Sequence, residues 1–507
     1  MNPRNAKRIW MHFFTLLLFL VACTTPSQLP QESNQVKVSS TFVPTLPPTH
    51  TPTIIVATDE ITQTASENAA SNAKPENACS QASLGESSLL SNWDRKLALH
   101  TLIPINPISG QPLCAYAPLP IGRNYFHAFS PDGKDLAVVA SQREDGRDGV
   151  LQLIDLQNWQ VTSTSIKFDY WVNAMDFSPD EHALAVVSAG PPTGKHGLPD
   201  GYRLAVIDVA NQSIQSETSL SFVPRLVGFT TDGASLVVYG GTVTEGDLAN
   251  ADPHLLLLDS ATLATDWEIR LEGLTDGQFW QGESDNPDAF TFWSPAIVFS
   301  PEKEAIYIVH ADANRLTIVD LALRTTGTVQ IQPATSWIER LLALTAGVAQ
   351  AKGLNGGIKS AVLSADGSRL YVVGESGVTS QDSNGEWQFS NEVLGLQVID
   401  AASGMEIARL ETECTDLALS SDGNVLFLHG WSNIAWTDVV DADSLEIVAH
   451  LAGRYLIPGR LLNGEAILLS NAQNESSLTS LASLDPASLK EITAWGVRDF
   501  ASWIVAP

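Results

Sequence analysis

Short apolar runs separated by turn residues recur along most of the chain. At Phe129-Ser130-Pro131-Asp132-Gly133 a turn leads into Leu136-Ala137-Val138-Val139-Ala140. Pro presets φ at the second turn position, Asp tolerates the third, and Gly takes a conformation that a side chain resists. Apolar segments this short, bounded by such residues, predict strands rather than helices. The turn returns, with wear, at Phe177-Ser178-Pro179-Asp180, Phe229-Thr230-Thr231-Asp232-Gly233 and Phe299-Ser300-Pro301-Glu302-Lys303. It returns again at Leu363-Ser364-Ala365-Asp366-Gly367, Leu419-Ser420-Ser421-Asp422-Gly423 and Leu462-Asn463-Gly464-Glu465.

A second marker follows each copy, an apolar run that ends in Asp. It reads Leu153-Ile154-Asp155, Val206-Ile207-Asp208, Leu257-Leu258-Asp259, Ile318-Val319-Asp320, Val398-Ile399-Asp400, Val439-Val440-Asp441 and Ser483-Leu484-Asp485. An Asp side chain there can hold a turn by bonding to backbone two residues on. Copies of the first marker start 43 to 70 residues apart. A period of roughly 40–50 residues with four strands per unit predicts propeller blades. Naming the strands a to d, Ser-Pro-Asp-Gly joins a to b and the Asp turn joins c to d.

On these turns, with Asp400-Ala401-Ala402-Ser403-Gly404 the nearest copy, the chain resembles the bacterial WD40-like and YVTN-type β-propellers over about residues 96 to 507. The Gly-His and Trp-Asp markers of true WD40 repeats are not in register, so their partner rules do not carry over. The expected fold is all-β: a single propeller of seven or eight four-stranded blades. Counting a–b turns gives seven. Counting c–d turns gives eight, because Leu97–Ile105, the turn Asn106-Pro107-Ile108-Ser109-Gly110 and Leu113–Leu119 form an extra hairpin. A spare segment, Phe500–Val505, would pair beside it, so that both termini close the ring and hide the edges.

The chain opens with Arg4, Lys7 and Arg8 and an apolar run from Ile9 to Ala22, the pattern of a secretory signal. Leu20-Val21-Ala22-Cys23 looks like a bacterial lipobox, which implies cleavage before Cys23 and lipidation of that residue. Residues 23–78 are rich in Thr, Ser, Pro, Ala and Asn and nearly lack aromatics, which predicts a disordered stalk. The expected organisation is therefore signal 1–22, stalk 23–78 and propeller 79–507. Localisation is expected at the outer face of the cell envelope, anchored to membrane by the lipid. Cys79 and Cys114 flank the start of the domain and could pair in an oxidising compartment. Cys414 reads as a small buried strand residue. The net charge of −29 argues against nucleic acid as a partner.

Strands alternate direction, so the short a–b and c–d turns share one face and the b–c and d–a connections share the other. All the long insertions fall on the second face: 190–202, 241–253, 375–391, 272–295 and 333–357. Connections of that length are uncommon unless functional or disordered. Candidate binding residues there are Trp280, Phe292 and Trp293, with His196 and Trp387 in the neighbouring insertions. Aromatics among acids and amides suit a sugar or peptide; packing against their own blade is the plainer explanation. Ser336 and Glu339 form a capping box, and Trp337, Leu341, Leu344 and Val348 share a face, which predicts a helix over about 337–350. Glu245, Asp247 and Asp252 lack the spacing of a calcium loop. No catalytic, metal or cofactor motif is present, and the histidines are scattered. The first functional reading is a non-enzymatic surface scaffold that presents its looped face to a protein, peptide or glycan. The alternative is a lactonase-like or quinoprotein-like propeller enzyme with its site in the central channel.

Overall fold

The Ser-x-Asp-Gly turns close as hairpins because short-range bonds converge on the serine. Ser130 Oγ donates to Asp132 Oδ1 at 2.9 Å and accepts the Asp135 N–H at 2.9 Å. Ser178, Ser364 and Ser420 repeat both bonds, and Thr230 does so with its own hydroxyl. Gly133, Gly233, Gly367 and Gly423 take φ between +69° and +76°, where a Cβ is disfavoured. In the second kind of turn, Asp155 Oδ1 accepts the N–H groups of Gln157 and Asn158 at 2.8 and 2.9 Å. Asn106 does the same for Ile108 and Ser109, so the Asn106–Gly110 turn belongs to the same set.

A computed structural model describes residues 79–504, apart from 144–146, 192–198, 200, 246–252, 281–289, 301, 303, 333–355, 382–386, 421, 432–434, 453–455, 464–465, 474–478 and 498–500. All described residues belong to the second of two compact units, Asn72–Pro507. The helix expected over 337–350, His196 and Cys23 lie outside the described residues.

The hairpins assemble into eight antiparallel blades in a ring. The innermost strands of blades I to VIII are Asn124–Phe129, Val172–Phe177, Val223–Phe229, Ala296–Phe299, Gly357–Leu363, Cys414–Leu419, Leu456–Arg460 and Ala501–Ile504. Blade VIII is composite. Its innermost strand comes from the C-terminal end and pairs with Ser88–Asp94, followed outward by Leu99–Asn106 and then by Gln111–Pro112 and Leu119–Gly122. Three of its strands thus precede blade I, where the sequence shows only two. The count that stood between seven and eight resolves to eight.

Eight apolar clusters fill the eight spaces between neighbouring blades. Period-two alternation explains how one strand serves two spaces. Leu136, Val138 and Ala140 of blade I face blade VIII, while Ala137 and Val139 face blade II. Burial on both faces is why the second strands read as unbroken apolar runs. Each fully buried leucine contributes roughly 1.5–3 kcal/mol.

Two of the long insertions are not loops. Gly277–Trp280 and Phe290–Ser294 form a hairpin. Its first strand pairs in parallel with Thr242–Glu245, an extension of blade III, and its second with Gly357–Ile358 of blade V. One continuous sheet therefore runs from blade III to blade V and bypasses blade IV. In blade V, Arg369–Gln381 overshoots and pairs with Trp387–Val393 before the chain returns at Leu396. Alternating aromatic and β-branched residues fit a pleated surface.

Cys79 and Cys114 form a disulfide with Cα atoms 5.0 Å apart, at the outer edge of blade VIII. Cys414 is a free, buried thiol in the first strand of blade VI, and burial pushes its pKa up to about 12.

Candidate functional site

The innermost strands of blades III, V and VI each carry a charged residue at their third position: Arg225, Lys359 and Asp416. Equivalent positions in a propeller converge on the axis. With Ser294, at the end of the bridging hairpin, these residues line an open cavity of about 330 Å³. The third position of each strand lies near the end where the chain enters from the preceding blade, so the cavity is on the face that carries the insertions.

Arg225 is fixed from both sides. Its Nη1 donates to Asp276 Oδ1, and its Nη2 donates to Ser294 Oγ at 2.6 Å. Asp276 is 0% exposed. Burial raises its carboxyl pKa, and the Arg225 charge opposes that shift. The buried phenol of Tyr239 pairs with the Asp276 carboxylate, and burial with that charge raises the phenol pKa. Gly241 makes this arrangement possible, because a Cβ there would lie 2.9 Å from the Asp276 carbonyl oxygen.

A second chain of polar groups runs behind blade IV. Thr275 Oγ1 donates to Asp312 Oδ2 at 2.6 Å, and His310 Nδ1 stands 3.6 Å from Asp312 Oδ1. His310 Nε2 is 2.8 Å from Thr317 Oγ1, which lies 2.9 Å from Thr328 Oγ1. Burial lowers the His310 pKa, with Asp312 opposing. Among the described residues, Arg315 Nε and Trp293 Nε1 are buried without hydrogen-bond partners, and His310 Nδ1 and Asp312 Oδ1 have each other at 3.6 Å.

Lys359 is 6% exposed and has no hydrogen-bond or ion-pair partner among the described residues. Its stem lies over Gly374, where a Cβ would stand 3.1 Å from Lys359 Cγ. Burial lowers its pKa to about 8, with the Asp312 charge opposing. On neighbouring blade VI, Asp416 Oδ1 accepts the Leu417 N–H at 2.9 Å. The Asp416 charge also acts on His429, whose Nδ1 is 3.2 Å from Thr437 Oγ1.

Of the residues singled out from sequence, Trp280, Phe292 and Trp293 share the bridging hairpin and Trp387 lies on the blade V hairpin. Trp293 is 5% exposed and packs over Gly357, as a structural residue does. Phe292 is half-buried beside it. Trp280 and Trp387 sit on the extended hairpins, and their side chains lie outside the described set. Asp247 and Asp252 also lie outside it. Three of the described histidines have separate partners. His127 packs between Tyr125 and Phe129, His254 stacks on Phe222, and His450 contacts Asp438 at 2.6 Å. Among the described residues no group of three metal-ligating side chains converges. Arg225, Asp276 and Lys359 were not singled out from sequence. The available signal was a lone basic residue at the same place in two otherwise apolar innermost strands.

No family model matches the chain, and no curated protein matches it. Among solved structures it is similar to dihydro-heme d1 dehydrogenase NirN in complex with DHE, at 15% identity and a TM-score of 0.51, covering 85% of this chain and 77% of that one. It is also similar to a eukaryotic initiation factor, at 11% identity and a TM-score of 0.47 over 82% and 98% of the two chains. A third is the Myceliophteria thermophila Cps50 (Swd1) β-propeller domain, at 14% identity and a TM-score of 0.38 over 69% and 93%. At 15% identity the likeness to the first is one of fold alone, and the topology itself is that of a β-propeller.

Proposed function

We propose that this protein is a non-enzymatic binding propeller, held at the outer face of the cell envelope by a lipid on Cys23. It offers its insertion-bearing face to a protein, peptide or glycan. The observation that carries this reading is the gathering of long insertions on one face of blades III to V, two of them built as paired hairpins. Binding residues concentrate on connections held by a rigid scaffold, and hairpins hold side chains in place at low entropic cost. The signal-like N-terminus and the Thr/Ser/Pro-rich segment after it support the address.

The test uses the full chain on peptide and glycan arrays. Trp280→Ala and Trp387→Ala are expected to weaken capture about tenfold, as loss of an aromatic anchor does, with the melting temperature unchanged. Equal capture by wild type and variants would remove the hairpins from the binding surface. Metabolic labelling with a fatty acid should mark the wild type and not Cys23→Ser; label on both would refute the anchor.

A further inference from the structure

An ammonium group taken out of water without a partner is among the costliest arrangements in a protein interior. Lys359 approaches that arrangement: the residue is nearly fully buried, its ammonium has no hydrogen-bond partner among the described residues and only the Asp312 charge acting on it, and it forms part of a cavity wall. Its backbone and the foot of its stem run close to Gly374, where a Cβ would meet the Ile358 carbonyl oxygen as well as Lys359 Cα and Cγ. The cavity, at about 330 Å³, has the size of a small-molecule site.

We propose that this cavity binds a small organic monocarboxylate, whose anionic end is received by the Lys359 ammonium. Three features define the ligand class. The Lys359 ammonium feels the Asp312 charge from behind but has no hydrogen-bonded anion among the described residues, so it can receive one from the cavity, and a charge-assisted hydrogen bond is stronger than a neutral one. Ser294 Oγ already accepts from Arg225, which leaves its own proton to donate into the cavity. Leu226, Pro295, Ala296, Ile297, Ala361 and Leu417 supply the smaller, apolar part of a wall that is mostly polar and includes Ser360, which leaves room for a short hydrocarbon body. Asp416, at the matching position of neighbouring blade VI, and Asp312 behind Lys359 repel a second negative charge. Arg225 supplies no competing anion site, because Asp276 and Ser294 hold its guanidinium. The inference is independent of what the insertion-bearing face captures.

The test is calorimetric titration of the full chain with propionate, hexanoate, phosphate and propionamide. The expected result is one saturable site for the carboxylates, with propionamide and phosphate weaker by about tenfold or more. Lys359→Met should lose carboxylate binding by a similar factor, and the exposed-site control Lys490→Met should keep it. Equal affinity for propionate and propionamide, unchanged binding by Lys359→Met, or no saturable carboxylate binding overturns the proposal. A second measurement guards against a misfolded variant. Lysines of the wild type are reductively methylated with carbon-13, and the Lys359 signal is followed during propionate titration. A saturable shift supports the site, and a signal that does not move overturns it.

Discussion

Asp276 is wholly shielded from solvent, and its counter-charge is Arg225, 51 residues earlier in the chain, reaching it from the innermost strand of blade III. The pair ties the connection between blades III and IV to blade III itself. Breaking a buried pair by removing one partner typically costs about 3–5 kcal/mol, because the other charge is stranded. Arg225→Met should therefore lower the urea midpoint sharply. Arg225→Met combined with Asp276→Leu should recover most of the loss. A double variant no more stable than the single one would show that the pair is not the source of the effect.

Lys359 gives a prediction of opposite sign. Its pKa is lowered to about 8 from the ordinary lysine value of 10.5. Between those values the unfolded chain still carries a proton that the folded chain has released, so stability rises with pH across that window. Below about pH 8 the folded state bears the full cost of the buried charge, about 3 kcal/mol. Lys359→Met is expected to be more stable than wild type at pH 7 by up to about that amount, with the advantage fading by pH 10.5. Urea unfolding at the two pH values reads it directly, and a variant less stable at both would contradict it.

His429 predicts acid sensitivity. Burial lowers its pKa to about 4, against the pull of Asp416. Above about pH 6.5 the imidazole is neutral in both states. As pH falls from 6.5 to 4 the unfolded chain gains a proton that the folded chain refuses, and stability is lost, by about 3 kcal/mol in all. His310 acts in the same direction. His429→Gln should flatten the acid limb of a pH–stability curve; an unchanged limb would assign it to carboxylates.

Ring closure depends on a four-residue strand. Trp503 is 5% exposed, and its Nε1 donates to the Ser470 carbonyl at 3.1 Å, joining blade VIII to blade VII. Trp503→Ala is expected to cost about 3–5 kcal/mol. Removing Ala501–Ile504 should also expose the edge of Ser88–Asp94 and promote self-association, visible by light scattering. A monodisperse truncated chain with an unchanged melting temperature would show that closure does not need this strand.

What was legible in the sequence was local chemistry. The bonds of Ser130, Asp132 and Gly133 lie within a few residues, so the turn can be read as written, and so can the Asn106 turn that makes the eighth member. The seven a–b turns undercounted for a physical reason: in blade VIII the first and second strands are joined by no peptide, so no turn exists to count. The hairpin at 277–294 was hidden because its partners, Thr242–Glu245 and Gly357–Ile358, are set by tertiary pairing. The cavity was hidden for a similar reason. Arg225, Lys359 and Asp416 become neighbours only when the blades are wound into a ring.

The bridging hairpin also makes the ring mechanically unequal. Parting either seam beside blade IV means breaking a backbone ladder as well as sliding side chains apart, because the hairpin grips blades III and V at once. The seam between blades VII and VIII is held by two single backbone bonds, from the Leu462 and Asn463 N–H groups to the Ser87 and Gly85 carbonyls, and not by a ladder. Blades III to V therefore form the stiffer arc.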